Sequence, residues 1–225
     1  VTVVHGVELR TERDRIALYV ESGRGPYEPE TVAAFVEAIE NDPHGCVIDV
    51  GAYTGLYSML AVRAGAREVI TLEPNPAGFQ RLHENLTRFY ASTKTYVDWI
   101  VRRWAASSEP GFGRMKIDDE AKGICSTGKL MLDPAGDVEV VRIDDLDRRR
   151  PVAVIKVDVE GHELAALSGA AVTLATEAPV LFVEVHSGSG GDRTEPITRF
   201  LAGFGYEGQP LDERNMVFRV PPQGG

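Results

Sequence analysis

Val47-Ile48-Asp49-Val50-Gly51-Ala52-Tyr53-Thr54-Gly55 decides how the chain reads. A nearly continuous β-branched run gives way to a glycine turn, the pattern of a parallel strand covered on both faces. Three further runs share that character: Val69 to Glu73, Val152 to Val159 and Val180 to Val185. The segments between them carry helical spacing. Val32, Phe35, Val36 and Ile39 recur at one helical face behind Pro29, and Asn75-Pro76 is a cap with a first-turn proline ahead of Leu82, Leu86 and Phe89. Leu164, Leu167, Ala171 and Leu174 form another stripe, and Thr194 opens a helix through Phe204 that Gly205 ends. Strands alternating with helices predict βαβ units, hence a doubly wound, mostly parallel α/β sheet. Asn215 to Val220 reads as a last strand, antiparallel at an edge.

A length of 225 residues suits one domain. Residues 1–28 read as an N-terminal cap with a strand or hairpin over Val7 to Leu9 and Ile16 to Val20, and residues 107–140 as a polar, Gly-rich, weakly periodic insertion with short strand-like pieces such as Arg114 to Ile117, an acceptor lid. The net charge of −10 disfavours nucleic acid and anionic membranes as partners. No apolar run approaches the roughly 20 residues of a membrane helix, and no leader pattern opens the sequence, so a cytoplasmic protein is expected. Cys46 and Cys125 make no disulfide framework.

Ligands of open α/β sheets bind beyond the carboxyl ends of the strands. Those ends read Asp49 to Gly55, Glu73-Pro74-Asn75, Asp158-Val159-Glu160-Gly161 and Glu184-Val185-His186. The Gly51-x-x-x-Gly55 spacing departs from the dinucleotide fingerprint, and Asp49 ahead of it would repel a pyrophosphate. Glu73 stands where a strand-end acid accepts hydrogen bonds from ribose hydroxyls. A ribose, a positive charge and no phosphate describe S-adenosylmethionine.

Val47 to Gly55, Leu72-Glu-Pro-Asn-Pro76, Ile155-Lys-Val-Asp-Val-Glu-Gly-His-Glu163 and Pro179-Val-Leu-Phe-Val-Glu-Val-His186, in that order, resemble the FkbM family of methyltransferases over residues 27–186. Tyr53 departs from the asparagine often found there. The resemblance implies the seven-stranded, Rossmann-like class I methyltransferase fold and O-methylation of natural products or sugars. It implies that Asp49, Gly51 and Gly55 shape the methionine end of the cofactor pocket, with Ala52, Tyr53 and Thr54 along it. It further implies Glu73 on the ribose, Ala105 and Ala106 beside the adenine, and Tyr27 and Glu28 brought over the cofactor. Pro74 and Asn75 border the same pocket, with helix entry and N-cap as their structural roles; Trp104 reads as core beside the adenine stretch.

An alcohol acceptor must lose a proton, which makes His186 the first candidate for general base, with Asp158 second and Glu184 beside them. Asp158, Glu160, Glu184 and His186 are also an oxygen-rich set that suits Mg²⁺ or another divalent cation. Glu160 and Glu163 have a simpler reading as acids at a helix start. The expected activity is methyl transfer to a small-molecule hydroxyl. Methylation of an amine or carboxylate, and a non-catalytic cofactor-binding subunit, remain alternatives. A homodimer is the default for such an enzyme.

Overall fold

The computed structural model describes residues 1–10, 15–93, 95–117, 128–185 and 193–222. Its centre is a seven-stranded sheet in the order β12-β13-β11-β10-β3-β4-β5. The strands are β3 (Cys46–Val50), β4 (Glu68–Leu72), β5 (Asp98–Arg102), β10 (Val152–Val157), β11 (Val180–Glu184), β12 (Glu207–Pro210) and β13 (Asn215–Arg219). β11, β10, β3, β4 and β5 run parallel, and β13 lies antiparallel to both its neighbours. β13 therefore sits one place inside the sheet, and β12 forms the edge that the sequence assigned to it.

The apolar runs of the parallel strands send alternate residues to opposite faces. Val47, Val69, Val154 and Phe182 join one core with α2 (Pro29–Asn41), α3 (Leu56–Arg63) and α4 (Pro76–Thr93). Ile48, Ile70, Ile155 and Leu181 join the other, with α5 (Glu163–Ser168), α6 (Ala171–Glu177) and α7 (Thr194–Ala202). The register aligns Val50 with both Leu72 and Val157, and Val157 with Val183, so four strands end level and deliver their polar ends to one place.

Three expectations change. Ile16 to Val20 is helical, within α1 (Arg15–Glu21), because Ile16 and Ala17 are buried side by side, a pattern no half-buried strand allows. The Leu164 to Leu174 stripe is two helices, broken at Gly169, which packs so tightly that an added Cβ would lie 2.1 Å from the Ser107 carbonyl oxygen. In the insertion, the strand-like piece Arg114 to Ile117 lies in a strand as expected, and the described residues around it form a small sheet of their own. β6 (Trp104–Ala106), β7 (Gly111–Ile117), β8 (Gly128–Leu132) and β9 (Val138–Val141) pair in the order β6-β9-β7-β8. Ala105, Val138 and Val140 give it a small core of its own. Val7–Leu9 is a strand as expected, but its hairpin partner is Thr2–Val4, not Ile16 to Val20: β1 (Thr2–Val4) pairs with β2 (Val7–Leu9). Among the described residues no helix is long and apolar enough to cross a membrane.

Candidate active site

The turn after β3 is built around glycine. Gly51 has φ 81°, and a Cβ there would lie 1.9 Å from the Asp158 carbonyl oxygen, so the turn and the end of β10 meet backbone to backbone. The Gly51 and Ala52 amides both donate to the Leu72 carbonyl, at 2.9 and 3.0 Å, tying the turn to the end of β4. The Tyr53 amide donates to Glu73 Oε2 at 2.6 Å and the Asn75 amide to Glu73 Oε1 at 2.8 Å. Both carboxylate oxygens are thus fixed by main chain, and burial still pushes the carboxyl up to about 7. Asn75 Oδ1 accepts from the Ala77 amide at 3.0 Å and caps α4, as its sequence position implied.

Asp49, Thr71, Lys156 and Phe182 stand opposite one another on adjacent strands and share a face. Ser58 of α3 donates to Asp49 at 2.6 Å and lies 2.8 Å from the Thr71 hydroxyl, which also accepts from the Trp99 indole at 2.8 Å. Burial raises the Asp49 carboxyl to about 6, with Ser58 and Lys156 acting against it. Lys156 is buried, 3.5 Å from Asp158 Oδ2, 3.4 Å from Asn215 Oδ1 and 5.1 Å from the centre of the Tyr57 ring. A lysine inside the apolar run of β10 was the sequence signal for this role, and sequence reasoning gave it none.

Asp158 and Glu184 meet at the strand ends. Burial raises the Asp158 carboxyl, but Lys156, the hydrogen bond from Glu184 and Arg214 together hold it below its usual range. Glu184 is raised by burial and by the Asp158 charge, although Arg214 pairs with it. The two carboxyls are thereby pushed apart, Glu184 above and Asp158 below the usual carboxylate range. Asp158, Glu160 and Glu184 offer oxygens within 4.8 Å of one another. That set fits a divalent cation poorly, because Lys156 and Arg214 already supply the positive charge around it.

These groups surround a cavity of about 420 Å³. Asp49, Gly51, Ala52, Tyr53, Glu73, Pro74 and Asn75 form one wall, with Trp104, Ala105, Ala106 and His162 beside them. The His162 Nε2 lies 2.9 Å from the Ser107 hydroxyl, and burial lowers its pKa. Lys156, Asp158, Glu160 and Arg214 form the floor. A third wall comes from α1 and the turn after it, with Tyr27, and Met115 and Leu130 of the small sheet complete the enclosure. Tyr53 joins two walls: its hydroxyl accepts from the Arg15 amide at 3.2 Å. Met115, Leu130 and Arg214 carry no sequence signal for this site, which they reach from distant strands and turns.

Thr54, Gly55, Glu28 and Glu184 stand behind the lining. Asn85 Nδ2 donates to the Thr54 carbonyl at 2.9 Å, a Cβ on Gly55 would strike Leu82, and Glu28 accepts from the Tyr57 hydroxyl at 2.6 Å. Tyr27 lines the cavity, and burial with the nearby Glu28 raises its hydroxyl well above the usual range. His186, the first candidate for general base, lies outside the described residues, as does Cys125.

The sequence profile described as Methyltransferase FkbM domain matches residues 49–207, which hold Asp49, Glu73, Lys156, Asp158 and Glu184 but neither the α1 wall nor Arg214. The chain belongs to the FkbM methyltransferase family. It is 31% identical over 186 residues to the hexuronic acid methyltransferase AglP of Haloferax volcanii, an alignment covering 80% of this chain and 65% of that protein. The chain thus spans just under two thirds of that curated relative. Among solved structures, an FkbM methyltransferase from Methylobacillus flagellatus matches with TM-score 0.54 and 21% identity, over 79% of this chain and 44% of that one. An O-methyltransferase from Bacillus cereus, in complex with S-adenosylhomocysteine (SAH), matches with TM-score 0.54 and 14% identity over 91% and 88%. These likenesses establish the class I methyltransferase fold of this FkbM chain.

Proposed function

We propose that this FkbM chain transfers the methyl group of S-adenosylmethionine to an oxygen of a sugar-type small molecule. Glu73 carries the reading. It is a buried carboxylate whose two oxygens are pinned by the glycine turn and by the entry to α4, and it borders a cavity as a ribose acceptor must. Asp49 and Asp158 put negative charge where a sulfonium and an ammonium would lie. Trp104, Ala105 and Ala106 offer a flat apolar slot for adenine. The relative acting on hexuronic acid supports a sugar acceptor.

In the transfer, an acceptor oxygen lone pair attacks the methyl carbon in line with the departing sulfur. The carbon–sulfur electrons stay on sulfur, leaving neutral SAH, and a hydroxyl acceptor gives up its proton. Alignment supplies most of the acceleration. Asp158, ionised and partly exposed at the floor, takes the proton among the described residues. Glu184, hydrogen-bonded to Asp158 and paired with Arg214, orients it.

Thermal unfolding with S-adenosylmethionine, SAH and NAD, followed by methyl transfer from labelled donor to a sugar panel, tests the reading. A ligand at about 100 times its Kd adds about 2.7 kcal/mol, or roughly 5–10 °C for a domain of this size. A shift with the two sulfur ligands alone is expected. No shift, or one with NAD alone, overturns it.

A further inference from the structure

The cavity is lined by charges of both signs. Lys156 faces Asp158, and Arg214 faces Glu184. Arg24, in the turn after α1, lines the cavity and is exposed, yet no carboxylate among the described residues pairs with it. Its guanidinium lies 5.7 Å from the centre of the Tyr19 ring. Tyr19 in turn meets Tyr27 edge-on, with ring centres 5.5 Å apart at 85°. Both tyrosines line the cavity. The turn is anchored on α1, where the Gly23 amide donates to the Val20 carbonyl at 3.1 Å. Gly23 and Gly25, at φ 76° and 99°, flank Arg24 in a conformation that side chains other than glycine's resist.

We infer that Arg24, with Tyr19 and Tyr27, forms the acceptor subsite, and that it selects acceptors bearing a carboxylate. This rests on the methyl-transfer reading above. Tyrosine rings offer an apolar face to the C–H surface of a sugar ring. A guanidinium presents planar paired donors that match a carboxylate, and stacking on an aromatic ring fixes its plane before the ligand arrives. The chain's net charge of −10 disfavours an anion, so an anionic acceptor calls for a local cation at the site. A purely structural role for Arg24, a cation near the carboxyl end of α1, would be indifferent to the acceptor's charge.

The test is equilibrium binding of 4-nitrophenyl β-D-glucuronide and 4-nitrophenyl β-D-glucoside to the SAH-loaded protein. The two probes differ only in a carboxylate against a hydroxymethyl group. Each variant is titrated with SAH first, so loss of fold is read separately. The glucuronide is expected to bind at least tenfold tighter, with an advantage that shrinks as salt rises. Arg24→Gln brings the ratio close to one, and Arg24→Lys retains part of it. A ratio near one in the unaltered protein, a ratio unmoved by Arg24→Gln, or no glucuronide binding to the loaded protein overturns the inference and leaves the cofactor reading standing. Failure of SAH itself to bind removes both.

Discussion

Replacing Gly51 by alanine tests the backbone contact on which the site is built. The new Cβ would lie 1.9 Å from the Asp158 carbonyl oxygen, 2.8 Å from its carbon and 3.1 Å from Val159 Cγ1. A carbon and an oxygen settle near 3.3–3.6 Å, so the turn and the end of β10 must part by about 1.5 Å. Neither partner is a flexible side-chain tip. The left-handed φ of 81° adds about 1–2 kcal/mol for a residue with a Cβ. Overpacking of this kind costs about 1–3 kcal/mol more. The sum, about 2–5 kcal/mol, is a large part of the roughly 5–15 kcal/mol that holds a domain folded. Gly65→Ala is the matched control, since Gly65 has φ 102° but its nearest neighbour, Pro43 Cβ, would be 3.7 Å away. It carries the backbone cost alone. Urea unfolding of both variants, compared at equal slope, separates the two contributions. SAH titration should show at least tenfold weaker binding for Gly51→Ala. If Gly51→Ala is no less stable than Gly65→Ala, the close approach of turn and strand does not organise the site.

Glu73, raised to about 7 by burial, links both stability and cofactor affinity to pH. The folded state holds its proton more tightly than the unfolded chain, so stability is fullest below about pH 4.5 and declines as pH rises through 7. The ionised form is the one that accepts from ribose, so SAH affinity should rise about tenfold between pH 6 and 8. Glu73→Gln should flatten both trends, followed by urea unfolding and calorimetric titration; an unchanged affinity profile would remove Glu73 from the cofactor site. Asn75→Ala should lower stability by about 1 kcal/mol through loss of the α4 cap, with a Tm fall of about 2–4 °C in a calorimetric scan. Asp158→Asn should lower kcat for hydroxyl acceptors by about 10²- to 10⁴-fold, read as SAH release. A carboxylate acceptor has no proton to lose and should suffer far less, so equal losses would speak against Asp158 as base.

The parallel core was legible because burial on both faces leaves an unbroken apolar run, and β3, β4, β10 and β11 emerged within two residues of their ends. Their acidic termini followed, and with them Asp49, Glu73 and Asp158. Reading failed where that pattern fails. The strands of the small sheet are partly exposed and pair across long stretches of chain, so Phe112 and Arg114 beside Gly113 and Met115 gave no clean period. α1 packs only Ile16 and Ala17 fully, too little for a helical stripe to show. Lys156 and Arg214 acquire meaning only from each other's partners, Asp158 and Glu184, more than 25 positions apart along the chain. Tyr53 looked like a departure from the family's pattern, and the structure gives it a contact of its own, on Arg15.

That contact makes two halves of the cavity into one device. The Tyr53 amide is held by Glu73, at the proposed ribose site, and its hydroxyl by the first turn of the arm that carries Arg24. A nucleoside that steadies Glu73 and its turn thereby steadies the arm, lowering the ordering cost for whatever the arm must grip. Linkage makes the favour mutual: an acceptor in place tightens the hold on the donor by the same factor. One tyrosine side chain spanning two walls thus sets how strongly the two halves of the cavity feel each other.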